Sequence, residues 1–373
     1  MKILMVSMNS IHFRRWTSQL KDSEHEIFWF DIKGAGGHVS SLDFVKQKTD
    51  WRLRIKKGRY ILKKIPFLKS LIENNVAAAF EKYLLEVKPD VVHSFVLYMS
   101  CAPILKVMQK YPHIKWIYSA WGNDLYFYQN YPQYKKEIDA VLPHLDYMFA
   151  DCVRDLNLAK QLGFKGKTLG SYPGGGGYHF DLIEGPVKPV SKRDKIFIKG
   201  YQGEKHRGLN VLKALEKIEV NHPIHVFSAA EALITYYENS TVLKEKDITF
   251  YGKNNGLSHS EFCKLMNESL IYIGNNLSDG MPNTMLEAIC FGAFPIQSNP
   301  GGASAEVITD GENGLLIEDC EDIDFIAATI KKALDTESLL HTAFEKNMKL
   351  REQLEYHYIK KQVLKAYNSI AST

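Results

Sequence analysis

The stretch that decides the fold is SDGMPNTMLEAICFGAFPI, residues 278–296. Pro282 suits the first turn of a helix, because the N–H it lacks would go unpaired there in any residue. Gly292 suits the far end, where a left-handed residue commonly follows the last turn. The spacing predicts a helix over about 282–291, between two apolar runs that read as strands, LIYIGN (270–275) and AFPIQS (293–298). Its polar side chains are Asn283, Thr284 and Glu287, which fall at i, i+1 and i+4 and form one stripe. Met285, Leu286, Ala288, Ile289, Cys290 and Phe291 cover the other faces. A helix this apolar is packed on most sides, so its polar stripe faces either water or a ligand.

The same strand–helix–strand alternation extends in both directions. Toward the amino end lie KIFIKG (195–200), HPIHVFS (222–228) and DITFYG (247–252), and toward the carboxyl end GLLIE (314–318). An earlier set comprises KILMVSM (2–8), EIFWFDI (26–32), DVVHSF (90–95), KWIYSA (115–120), YMFADC (147–152) and KTLGSY (167–172). Alternation of this kind implies parallel sheets with helices on both faces. The pattern pauses at PGGGGYHFDLIEGPVKPVSKRD (173–194), which has linker composition. The expected organisation is therefore two Rossmann-like α/β domains, 1–182 and 183–350, with a charged carboxyl-terminal helix over 351–373 that packs back toward the first. Ligands gather at the carboxyl ends of parallel strands, so a cleft between the two domains is the expected place for a site.

With 45% hydrophobic and 24% charged residues, the composition is that of an ordinary globular chain. No run reaches the roughly 18 apolar residues of a membrane span, and MKILMVSMN reads as a first strand rather than a signal peptide. Five dispersed cysteines without CxxC spacing fit a reducing cytoplasm. The net charge is only +4 but unevenly placed: residues 46–69 hold ten Lys or Arg against a single acid, Asp50, which leaves the remainder net acidic. Trp51, Leu53, Ile55, Tyr60, Ile61 and Phe67 interleave with these cations. This is the composition of a helix lying on an anionic membrane surface, or else of a solvated basic segment burying its apolar side. The acidity elsewhere and the lack of a nucleic-acid motif argue against nucleic acid.

The amino end of the 282–291 helix would lie at the carboxyl edge of its sheet, where exposed N–H groups and the helix dipole suit a diphosphate. Glu287, a turn and a half inside, suits sugar hydroxyls, and Asp279 would lie across the helix mouth. Helix chemistry alone leaves open that Glu287 is a surface residue and Asp279 a cap.

The run DGMPNTMLEAICFGAFPI…SNPGGASAEVITDGENGLLI closely resembles the nucleotide-sugar-binding region of glycosyltransferase family 4, whose fold is GT-B. That family shows an acid, seven residues, then glutamate, with GxPN between and GGxxEVIxDGxNGLL downstream. The resemblance implies that Glu287 holds the donor ribose. It likewise implies that Asp279, with Gly280, Met281, Pro282, Asn283 and Thr284, meets the donor sugar. Asp279 stands where Glu is usual. The family's diphosphate-neutralising Arg and Lys follow the first strand of the second domain; here FIKGYQGEKHRGLNVL places Tyr201 at the Arg position and Arg207 before Gly208. Lys199, Lys205 and Arg207 are the cations available for that role, and Gly252 ends another strand nearby.

In the first domain Trp121 replaces the histidine common in relatives, and Asp124 of the WGND run is the candidate for a substrate hydroxyl. His93 reads chiefly as a core histidine. The run Gly174–Gly177 is either a ligand-approach loop or a hinge. Asp322 and Asp324 form a D-x-D triplet outside the cleft motifs and read as a helix start, so no metal and no cofactor is expected. The resemblance implies a retaining, metal-independent hexosyltransferase. It would move a sugar from a nucleotide-diphosphate donor, a UDP-sugar first among them, to a hydroxyl of a lipid-linked or surface-polysaccharide glycan, as in capsule or lipopolysaccharide assembly. The expected location is cytoplasmic, against the inner face of the membrane through residues 46–69. Alternatives are a nucleotide-sugar epimerase of related fold and a non-catalytic nucleotide-sugar binder.

Overall fold

A computed structural model describes residues 1–53, 73–180 and 185–371. The chain divides into two compact units, one of Met1–Gly176 with Lys360–Thr373, the other of Gly177–Ile359. The first crossing thus lies at 176/177, a few residues before the linker boundary read from composition, and the chain crosses back at 359/360.

Among the described residues the first unit contains β1 (Lys2–Ser7), α1 (Ile11–Ser18), β2 (Glu26–Asp31), β3 (Lys46–Lys48), α2 (Val76–Val87), β4 (Val91–Phe95), β5 (Lys115–Ala120), α3 (Pro132–Val141), β6 (Tyr147–Ala150), α4 (Val153–Gln161) and β7 (Lys167–Ser171). Its parallel sheet has the order β3-β2-β1-β4-β5-β6-β7. The strands are apolar on both faces because helices cover both faces: in β1 every residue after Lys2 is buried. Trp16, Trp29, Phe95, Trp116 and Phe149 are among its largest fully buried side chains.

The second unit repeats the design with β8 (Lys195–Lys199), α5 (Gly208–Leu215), β9 (Ile224–Phe227), α6 (Glu231–Asn239), β10 (Ile248–Tyr251), α7 (His259–Glu268), β11 (Ser269–Gly274), α8 (Asn283–Phe291), β12 (Phe294–Ser298), β13 (Leu315–Ile317), α9 (Ile323–Asp335) and α10 (Glu337–Gln353). Its parallel sheet runs β10-β9-β8-β11-β12-β13. The strand order reverses between β8 and β11, and the carboxyl ends of that pair form the topological switch point at which open α/β sheets bind ligands. The last helix, α11 (Tyr356–Ala371), starts in the second unit and continues in the first, where the Tyr367 hydroxyl meets His93 Nδ1 at 2.6 Å and accepts from Trp16 Nε1 at 3.1 Å.

The basic segment is not one helix. Lys46 and Lys48 belong to edge strand β3, paired with β2. Lys46 is ion-paired with Glu26 and lies 4.9 Å above the Phe28 ring. Trp51, expected as a surface anchor, is 7% exposed, stacks on Phe30 at 4.8 Å and donates to the Asp31 carbonyl at 2.8 Å. Its ring fills the first unit's core instead. Residues 54–69 of that segment lie outside the described residues. Among the described residues no helix is long and apolar enough to cross a membrane.

Candidate functional site

At the switch point of the second unit, two loops are laced together. Gly200 follows β8 with room for nothing larger, since a Cβ there would come within 2.8 Å of the Ala229 Cα. The chain then closes a small loop, with the Gly208 N–H on the Tyr201 carbonyl at 2.9 Å, and enters α5. The loop after β11 docks on it: the Arg207 N–H donates to the Asn275 carbonyl at 2.9 Å and the Leu277 N–H to the Lys205 carbonyl at 2.9 Å. This lacing gathers side chains from sites some 70 residues apart. Asn276 donates from Nδ2 to Asp279 at 2.9 Å and meets His206 Nδ1 through its Oδ1 at 2.8 Å. With the amide held that way, the His206 hydrogen resides on Nδ1. Burial is the largest influence on His206 and lowers its pKa, with Lys199 and Lys205 pushing the same way and Asn276 and Asp279 opposing.

Lys199 is 8% exposed, lies 3.5 Å from the Asp279 carboxylate and sits 5.3 Å from the centre of the Tyr201 ring. A nearly buried ammonium held by one carboxylate and one aromatic face can exchange that carboxylate for an anionic ligand at modest desolvation cost. Lys205 is half-buried and braces the second loop through its carbonyl.

α8 realises the stripe read from sequence. Met285, Leu286, Ala288, Ile289, Cys290 and Phe291 are buried, while Asn283, Thr284 and Glu287 are partly exposed. Pro282 is the residue before the first helical turn rather than within it, and Gly292 closes the helix at φ 79°. Thr284 and Glu287 line a cavity of about 400 Å³, together with Tyr201, Ser228, Gly252 and His259. Phe227 and Phe262 supply apolar walls. The cavity thus follows the carboxyl edge of the sheet from β8 to β10 and ends on the polar stripe. Gly280, Met281 and Pro282 are buried, and the Gly280 N–H is turned to the Asp279 carboxylate at 3.0 Å.

Two candidates are engaged by protein partners. Arg207 does not present its charge as a free diphosphate clamp: its guanidinium is ion-paired with Glu321 and donates to the carbonyls of Gly203 at 2.8 Å and His206 at 3.1 Å. It builds the loop that presents Tyr201 and His206. Asp124 is 3% exposed and spends its carboxylate on protein donors, the Leu97 N–H at 2.8 Å, the Trp121 N–H at 2.9 Å and the Tyr118 hydroxyl at 2.5 Å. It ties the loops after β4 and β5, where Val96 is held at φ 67°, a strained conformation for a β-branched residue.

His93 is fully buried between Tyr367 and Ser119, as a core histidine. Gly176 and Gly177 have positive φ and contact protein: a Cβ on Gly177 would lie 2.9 Å from the Tyr356 Cα. Asp322 caps α9 by accepting from the Phe325 N–H at 2.9 Å. His206 escaped the sequence reading, because its partner Asn276 is 70 positions away and local sequence does not show the pairing.

Residues 195–353 match the family model described as glycosyl transferases group 1. No curated protein matches the sequence. Among solved structures, a sucrose-phosphate synthase from Thermosynechococcus elongatus is similar at TM-score 0.73 and 15% identity, covering 100% of this chain and 99% of its own. The lipopolysaccharide outer core galactosyltransferase WaaB is similar at TM-score 0.72 and 16% identity, with 99% of each chain covered. Anabaena HepE, solved with UDP and glucose, is similar at 0.70 and 13%, covering 99% of this chain and 100% of its own. The fold, two Rossmann-like parallel-sheet units, is that of GT-B glycosyltransferases.

Proposed function

We propose that the chain is a glycosyltransferase taking its sugar from a nucleotide-diphosphate donor, a UDP-sugar first, with the donor in the β8–β11 switch-point site. The observation that carries this reading is the cavity of about 400 Å³ that runs along the carboxyl edge of the second sheet and ends at Thr284 and Glu287. A nucleoside fits between its apolar walls, with Glu287 accepting from ribose hydroxyls. The amino end of α8 and the Lys199 ammonium then meet the diphosphate, and Asp279, released from Lys199, accepts from the sugar. Cleavage leaves negative charge on the departing diphosphate, and these fixed positive groups stabilise it where it develops. No metal is part of this scheme, and the anomeric configuration is retained. The acceptor is a hydroxyl of a glycan, lipid-linked or part of a surface polysaccharide.

Calorimetric titration with UDP-, GDP- and ADP-sugars tests the reading. Glu287→Ala removes a hydrogen bond to the ligand from a charged group, worth about 1.5–3 kcal/mol, so donor binding weakens roughly ten- to hundred-fold. Undiminished binding in that variant removes Glu287 from the site. The engagement of Arg207 by Glu321 favours one second reading, a donor binder without turnover. Sugar release or transfer over an acceptor panel decides between the two.

A further inference from the structure

We propose that Tyr178 is a positioning residue that couples the chain's crossings between its units to the first turn of α8, and thereby sets donor affinity; this rests on the donor-site reading above. Tyr178 follows the first crossing directly. Its N–H donates to the Leu354 carbonyl at 2.9 Å and its carbonyl accepts from the Tyr356 N–H at 2.9 Å, so it zips the outgoing segment to the one that returns at 359/360. His179 stacks on Tyr356 at 4.0 Å, and the Arg351 guanidinium lies 3.7 Å over Phe180. Gly177 permits the approach, since a Cβ there would meet both Tyr356 and Ile359 within 3.1 Å.

The tyrosine side chain leaves this zipper and reaches the donor helix. Its hydroxyl donates to the Asn283 carbonyl at 3.0 Å and lies 3.2 Å from the Asn283 Oδ1. Asn283 is the first residue of α8, and in an α-helix its carbonyl also receives the amide of residue i+4, here Glu287. A ligand engaging the Glu287 turn and a displacement of the crossing segments therefore act on one shared carbonyl. Coupling between two sites is reciprocal: donor binding stiffens the crossing, and the crossing's state tunes donor binding. Phenylalanine at this position would keep the backbone zipper and the ring, and lose the hydroxyl's link to Asn283.

The test combines UDP titration with hydrogen exchange of segments 176–180 and 354–359 in the full chain and in Tyr178→Phe. In the parent chain, saturating UDP slows exchange in both segments. In Tyr178→Phe that protection disappears and UDP binds roughly five-fold more weakly, the value of one neutral hydrogen bond. Gly177→Ala, which forces the segments apart while keeping the hydroxyl, weakens UDP in the same direction. Equal UDP-induced protection in parent and Tyr178→Phe, or an unchanged UDP affinity, overturns the coupling alone. A parent chain that binds none of UDP, GDP or ADP overturns the donor-site reading and the coupling with it.

Discussion

His93 shows how one buried group controls stability. It is 0% exposed, and burial lowers its pKa from 6.5 to about 3. Unfolded, it takes up a proton near pH 6.5; folded, it stays neutral until about pH 3. Between these values the unfolded state binds the extra proton, so stability rises with pH across that window and is lost as pH falls. One proton corresponds to about 1.4 kcal/mol per pH unit. Urea unfolding at pH 8, 6 and 5 should show this contribution draining from the first unit below pH 6.5. His93→Gln should lower stability at pH 8 but flatten the acid side by about that slope; an equally steep profile would assign the pH sensitivity elsewhere. Asp124 and Arg207 carry the complementary lesson. Both stand in motif positions, yet their charges are committed to Leu97, Trp121 and Tyr118 in one case and to Glu321, 114 positions away, in the other. Local sequence contains no record of such long-range partners, whereas the polar stripe of α8 follows from helical period alone.

At the scale of elements, the far end of α8 matters as much as its ligand end. Gly292 adopts φ 79°, and a Cβ there would lie 2.7 Å from both the Arg193 Nη2 and the Phe344 ring. Arg193 is itself buried and fastens that end, donating to the Phe291 carbonyl at 2.6 Å and the Ser269 carbonyl at 3.0 Å. Gly292→Ala therefore combines a left-handed backbone cost of about 1–2 kcal/mol with displacement of that guanidinium. The expected result is a thermal midpoint lowered by several degrees, and a midpoint within one degree of the parent would contradict the packing argument. Strands buried on both faces, such as KWIYSA, were legible because continuous apolar runs admit few other fates. β3 was not, because Lys46–Lys48 has no hydrophobic pattern and joins the sheet by backbone pairing at an edge that lysines protect.

For the molecule as a whole, the uneven charge bears on where it works. We propose an anionic membrane surface as partner through the cations of residues 46–69, with the acceptor glycan presented there. Lys46 and Trp51 are committed to the first unit's sheet and core, so the proposal rests on the composition of the later part of the segment. Near a negative surface each basic residue is worth about 1 kcal/mol. Making Lys56, Lys57, Lys63 and Lys64 all Glu should abolish sedimentation with phosphatidylserine vesicles while UDP binding persists; unchanged sedimentation would reject the membrane role. The chain's double crossing has a separate consequence for biosynthesis. Residues 177–359 emerge from the ribosome as one contiguous piece, whereas the first unit waits for Tyr367 before His93 and Trp16 acquire their final partner. The nascent chain thus completes the sequence of its second unit before that of its first, which stays uncapped until the residues after 359 are added.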